Sequence, residues 1–201
     1  MSDDVAPTGR ILFGENLVGF LMTWGSMEMA IDQVIAVTYR YHNAEAVVTR
    51  LTPVTIEKKL QFLTDAAAKI PSASPFSETI ESLVSRVKAE KDLRNTLVHG
   101  WPLKVEKNGT AHIVRLRPRQ HEPHYELRVV KDRDWDRLMT TCAEVFALAT
   151  ILTFGLSPED VARNEVENVG RAWFVKGAET FPASKQIRKL MKELLSSAPD
   201  D

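Results

Sequence analysis

The feature that most constrains this chain is a change of hydrophobic period near residue 100 and a return to the first period thirty residues later. Up to that point apolar residues recur at helical spacing. From Pro102 to Val130 they alternate in twos, and from about residue 133 the helical spacing resumes. A chain of this kind is helical with a small sheet inserted, not an alternating α/β protein. The first helix is predicted over about 14–42, with Leu17, Leu21, Trp24, Ile31 and Ile35 on one face. The residues before it read as a loose tail. Thr52-Pro53 has the form of an N-cap followed by proline and opens a second helix to about Ile70. Ser74-Pro75 repeats the signal for a third, about 75–99, with the stripe Ile80, Leu83, Val84, Val87. Gly100 stands where a C-terminal glycine cap belongs.

In the inserted segment, about 102–130, Asn108-Gly109 marks a hairpin. Val114 and Leu116 take one face of the second strand, opposite Arg115, Arg117 and Arg119. Tyr125, Leu127 and Val129 oppose His124, Glu126 and Arg128 in the third. An antiparallel meander with one apolar and one solvated polar face is expected. Asp132 or Asp134 caps a fourth helix, about 133–155, apolar nearly all round from Ala143 and so buried on several sides. The predicted organisation is a four-helix bundle over 1–156, mainly α, with a 157–201 helical extension carrying a last amphipathic stripe at Ile187, Leu190, Met191, Leu194 and Leu195.

Composition narrows the chemistry. Twenty-six Lys and Arg against 27 Asp and Glu give a net charge of −1 over 201 residues, so nucleic acid would have to be held by a local patch. The most basic stretch is Lys104 to Arg133, with eight Lys and Arg against four Asp and Glu. Cys142 is the one cysteine, which excludes an internal disulfide and a Cys-rich zinc site and fits a reducing, cytoplasmic setting. The N-terminus is polar and acidic, unlike a signal peptide, and the apolar run Cys142–Leu156 is interrupted by Glu144 and too short for a bilayer. Neither a glycine-rich phosphate loop nor a third ligand for His121 and His124 is present, so no cofactor and no metal are expected.

One constellation carries chemistry. At helical spacing Lys91 and Arg94 continue the apolar stripe of the third helix, so Arg94 is expected to face the bundle interior. Asp92, Asn95 and His99 form a polar column beside it, in which Asp92 reads as a solvated helix residue. On the first helix Glu28 interrupts the apolar stripe and is expected near Arg94 or His99, with Asp32 a second candidate one turn on. Arg94 and His99, five residues apart, diverge by about 140° on an ideal helix. Either the last turn unwinds or a second subunit completes a shared site.

The stretch Arg94-Asn95-Thr96-Leu97-Val98-His99 resembles the defining arginine–polar–histidine motif of the HEPN superfamily. The resemblance, over about 14–155, implies a helical bundle that forms a homodimer and cleaves RNA without a metal. Toxin–antitoxin and anti-phage systems use such proteins, so an antitoxin partner is implied with the RNA. It gives Arg94 the charge on the scissile phosphate, His99 the proton transfers and Asn95 an orienting role, with Glu28, Asp32 and Asp92 supporting. Lys91, Arg115, Arg117 and Arg119 are candidate RNA contacts. The alternatives are a non-catalytic HEPN module that binds nucleotide, RNA or a protein, and an interaction domain that dimerises through its fourth helix. No membrane association is expected.

Overall fold

The structure is a computed structural model that describes residues 9–42, 44, 47, 53–119, 122–158, 189, 192 and 196. It is mainly α, with four helices and a three-stranded antiparallel sheet between the third and fourth. The helices are α1 (Gly9–Tyr41), α2 (Ile56–Lys69), α3 (Ser77–His99) and α4 (Asp132–Leu156). The strands are β1 (Trp101–Val105), β2 (Ala111–Arg119) and β3 (Glu122–Val130), in that spatial order. A single residue, Gly100, joins α3 to β1, and a single residue, Lys131, joins β3 to α4. The apolar stripe of the predicted terminal helix, Ile187, Leu190, Met191, Leu194 and Leu195, lies outside the described residues.

Helix boundaries depart from expectation where backbone hydrogen bonding overrides the cap signal. α1 begins at Gly9, five residues early, inside the expected tail. α2 is capped by Thr55, not Thr52. Thr55 is extended (φ −88°, ψ 151°) and its hydroxyl accepts from the Lys58 N–H at 3.4 Å. Ser74-Pro75-Phe76 forms a short 3-10 turn ahead of α3, with no side-chain cap. At the start of α4 neither aspartate is the N-cap. Asp134 sits at the third helical position and its carboxylate accepts from the Lys131 N–H at 2.9 Å, the reciprocal half of a capping box. α4 is 25 residues long, with an 18-residue window of mean hydropathy 1.6, half of it buried. It is long and apolar enough to cross a membrane by length and composition alone, a test that the buried core helix of a bundle passes equally.

The chain divides into two compact units: Met1–Gly25 with Val87–Cys142, and Ser26–Arg86 with Ala143–Asp201. In the first, Phe13, Phe20 and Trp24 of α1 are buried, and Phe13 and Phe20 meet the Trp135 ring of α4 at 5.7 and 6.3 Å between centroids. In the second, Met27, Ile31, Leu60, Leu63, Leu83 and Leu148 are among the fully buried side chains. Tyr39 stacks on Phe62 at 5.3 Å, and Arg86 pairs with Glu144. His42 connects the ends of two helices there. Its Nε2–H donates to the Leu156 carbonyl, which fixes the tautomer, and Nδ1 accepts from the Ser72 hydroxyl at 2.7 Å. The buried stripe of α1 runs Phe20, Trp24, Met27, Ile31, Val34, and the expected member Leu21 is exposed.

The sheet is inverted relative to expectation. Register places Val114 opposite Leu127 and Leu116 opposite Tyr125 on one face. Ile113 opposite Arg128, Arg115 opposite Glu126 and Arg117 opposite His124 share the other. The second face, with Ala111, Ile113 and Val130 buried at its hairpin end, is turned to α3. The apolar face is the exposed one. The β1–β2 turn closes with Gly109 N–H donating to the Glu106 carbonyl at 3.0 Å, and Gly109 takes the positive φ of 82° that the turn requires. Gly100 is not a left-handed cap, since Gly109 is the positive-φ glycine among the described residues. It is a close-approach residue, because a Cβ there would overlap the Thr96 carbonyl oxygen and the Ile113 Cγ2.

Candidate functional site

α3 stays α-helical through His99, so the last turn does not unwind. Its buried stripe continues past Val87 through Glu90, Leu93 and Leu97, one position away from the expected Lys91 and Arg94. Arg94 is therefore half-buried on the flank of the stripe and not at its centre. Among the described residues of the first unit its guanidinium meets no carboxylate. Nη1 donates to the Asn95 Oδ1 at 3.1 Å, and the group lies over the Trp24 ring, 5.7 Å from the centroid. Nε is buried and has no hydrogen-bond partner among the described residues. His99 is exposed on the final turn. The continuous helix keeps Arg94 and His99 about 140° apart with a rise of about 7.5 Å.

Asp92 is the hub of the region and not a solvated bystander. Its carboxylate receives Arg115 Nη1 at 3.3 Å, Arg128 Nη1 at 2.9 Å and the Arg117 guanidinium. Arg117 also pairs with Glu126. Partial desolvation works against the Arg117 charge, but Asp92 and Glu126 outweigh it and hold the group above its ordinary value. Arg115 and Arg117 thus belong to the face that α3 covers, each tied to a carboxylate. The Arg119 side chain lies outside the described residues. The sequence offered no signal for this clamp, because Asp92 and its partners are 23 to 36 positions apart.

Other charges in this unit are spoken for locally. Buried Glu90 takes Arg137 at 2.8 Å, leaving its second oxygen without a partner among the described residues. Burial, with the nearby Glu90 charge, pushes the Cys142 thiol from 9.0 up to about 12. At the hairpin His112 and then Lys104 hold the Glu106 carboxyl below its usual value. Lys91 is half-buried on α3. Glu28 and Asp32 fall in the second unit, where Asp32 pairs with Lys59 at 2.7 Å beside a groove lined by Tyr39, Arg40 and Pro53. Among the described residues no three His, Cys, Asp or Glu side chains gather as metal ligands.

The arrangement offers a half-buried arginine that meets no carboxylate among the described residues of its unit, oriented by an aromatic ring and an amide, five positions before an exposed imidazole. It suits an anion such as a phosphate. Sequence reasoning singled out Arg94, Asn95 and His99 but missed Trp24 as the support for Arg94, having placed it on the apolar stripe of the first helix without a link to that arginine. Compared with known proteins, the chain matches no family model, no curated protein and no solved structure.

Proposed function

We propose that this protein is a homodimeric RNA endonuclease that needs no metal. The observation that supports it is the state of Arg94: half-buried, held by Asn95 and Trp24, and paired with no carboxylate among the described residues of its own unit. A structural arginine in such a place would be expected to spend its charge on a carboxylate. This one keeps donors for a ligand. In the proposed reaction His99 removes the proton from the 2′-hydroxyl, whose oxygen attacks the adjacent phosphorus. The bond from phosphorus to the 5′-oxygen breaks, and that oxygen takes a proton from an imidazolium. Arg94 balances the charge gathering on the phosphoryl oxygens. Because Arg94 and His99 diverge on one helix, the site draws Arg94 from one copy and His99 from the other. The resemblance to HEPN proteins supports the finer reading, an enzyme of toxin or phage-defence type restrained by an antitoxin.

The test is cleavage of RNA in EDTA by the purified protein beside Arg94→Ala and His99→Ala. The parent is expected to leave 2′,3′-cyclic phosphate ends, with each variant slower by about a hundredfold or more. Equal activity in all three would identify a contaminant. Absence of cleavage by the folded dimer across several RNA classes would refute the reading in favour of a non-catalytic module.

A further inference from the structure

Within the second unit, α1, α2 and the chain leading into α2 line a groove of about 660 Å³, a volume in the range of small-molecule sites. Its floor is apolar. Ile35, Ala36 and Tyr39 contribute from α1, and Pro53 and Val54 from the approach to α2. Ile35 and Pro53 are buried, and Tyr39 is fixed by its stacking on Phe62. Val54 is 81% exposed, an apolar side chain left at the mouth. Three charges complete the lining. Lys59 is buried, as a lysine is only when paired, and its Nζ meets both oxygens of Asp32 at 2.7 and 2.8 Å. That ion pair is closed on itself. Arg40 lies two turns beyond Asp32 on α1, a rise of about 12 Å. It is exposed, its guanidinium sits over the Tyr41 ring 5.3 Å from the centroid, and it meets no carboxylate among the described residues.

We infer that this groove binds a small apolar carboxylic acid, its body on the apolar floor and its carboxylate on Arg40. Charge complementarity selects the occupant. Two cations against one carboxylate leave the groove with an excess positive charge, and because Lys59 is spent on Asp32 the excess falls at the Arg40 end. A monoanion satisfies it. A polyphosphate would meet one uncommitted cation and would set its remaining charges against apolar walls. A cationic ligand would meet Arg40 with like charge. The planar guanidinium presents paired donors that a carboxylate accepts bidentately, and a guanidinium already held by a ring loses less freedom when it does so. Every residue of this site belongs to the second unit, so the inference does not depend on the nuclease reading.

The test is equilibrium dialysis of the full chain against 2-naphthoate and against 2-naphthamide, its neutral isostere. The parent should take up one naphthoate per chain with a Kd of about 100 µM, the strength ordinary for so small a ligand. The amide should bind about tenfold more weakly. Ala36→Trp, which fills the groove from an exposed position on α1, should abolish saturable binding while keeping the parent's circular dichroism. Arg40→Gln should bind acid and amide alike. Leu127→Asp, on the exposed apolar face of the sheet, should bind as the parent does. No saturable uptake by the parent up to about 2 mM overturns the inference, as does uptake that survives Ala36→Trp or is lost in Leu127→Asp. An amide that binds as tightly as the acid, or a preference for the acid that persists in Arg40→Gln, overturns it equally.

Discussion

Replacing Asp92 by Asn removes one charge and almost no volume, which isolates the electrostatic part of the clamp between α3 and the sheet. The carboxylate meets three guanidinium groups, and its own side chain is 49% exposed, so each pair has the value of a partly screened contact. Three such pairs amount to about 2 kcal/mol. Asn retains one acceptor oxygen, which recovers part of this. The guanidinium groups of Arg115, Arg117 and Arg128, left with Glu126 as partner of one of them, repel by up to about 1 kcal/mol. The two corrections nearly cancel, and a net loss of about 2 kcal/mol is expected. For a chain of this size that lowers the melting temperature by roughly 4–8 °C. The assay is urea unfolding followed by circular dichroism at low salt and again in about 1 M NaCl, where screening acts over about 3 Å. The loss should shrink by more than half in high salt. A low-salt change under about 0.5 kcal/mol, the size of an ordinary surface substitution, would refute the clamp. A loss of the expected size that ignores salt would show that packing, not charge, holds the sheet there.

Two further outcomes follow from the packing. Gly100→Ala should cost about 2 kcal/mol because its methyl group overlaps the Thr96 carbonyl and Ile113. Gly25→Ala, in a helix with nothing within 4 Å of the new Cβ, should gain about 0.5–1 kcal/mol, and thermal melts that rank the two the other way would contradict the geometry. The Cys142 thiol, raised from 9.0 to about 12, should react with a thiol reagent at about pH 8 roughly a thousandfold more slowly in the folded chain than in urea. The sign for stability is set by the same shift. A thiol that ionises more easily unfolded leaves stability intact below pH 9.0 and erodes it as pH rises towards about 12. Native reactivity within about tenfold of the unfolded chain would mean that Cys142 is not sealed.

The order of elements was legible because periodicity reports local structure directly. The switch from helical to alternating spacing at residue 100 and back near 132 located the sheet to within a few residues. What it could not report is which face another element covers. Alternation in β2 and β3 separated Leu116, Tyr125 and Leu127 from Arg115, Arg117 and Arg128. The choice between the faces was then made by Asp92, a residue on another element. The same limit applies to α1, where Leu21 and Phe20 are adjacent and both apolar, and only packing decides that Phe20 is inside. In the candidate site, Arg94 and Asn95 were legible because they are neighbours in sequence. The support from Trp24 was not, since an aromatic ring on an apolar stripe looks like core from every local signal.

The sheet has no linker at either end. His99 closes α3, Trp101 opens β1, and Gly100 alone stands between them, with no room even for a methyl group. Lys131 makes an equally short joint into α4. A hinge needs residues that can absorb a change in backbone angles, and neither joint has any to spare. In mechanical terms the insertion is a bracket and not a flap. A load placed on its outer surface passes into the last turn of α3, so whatever seats there also sets the stiffness of the helix end that presents His99.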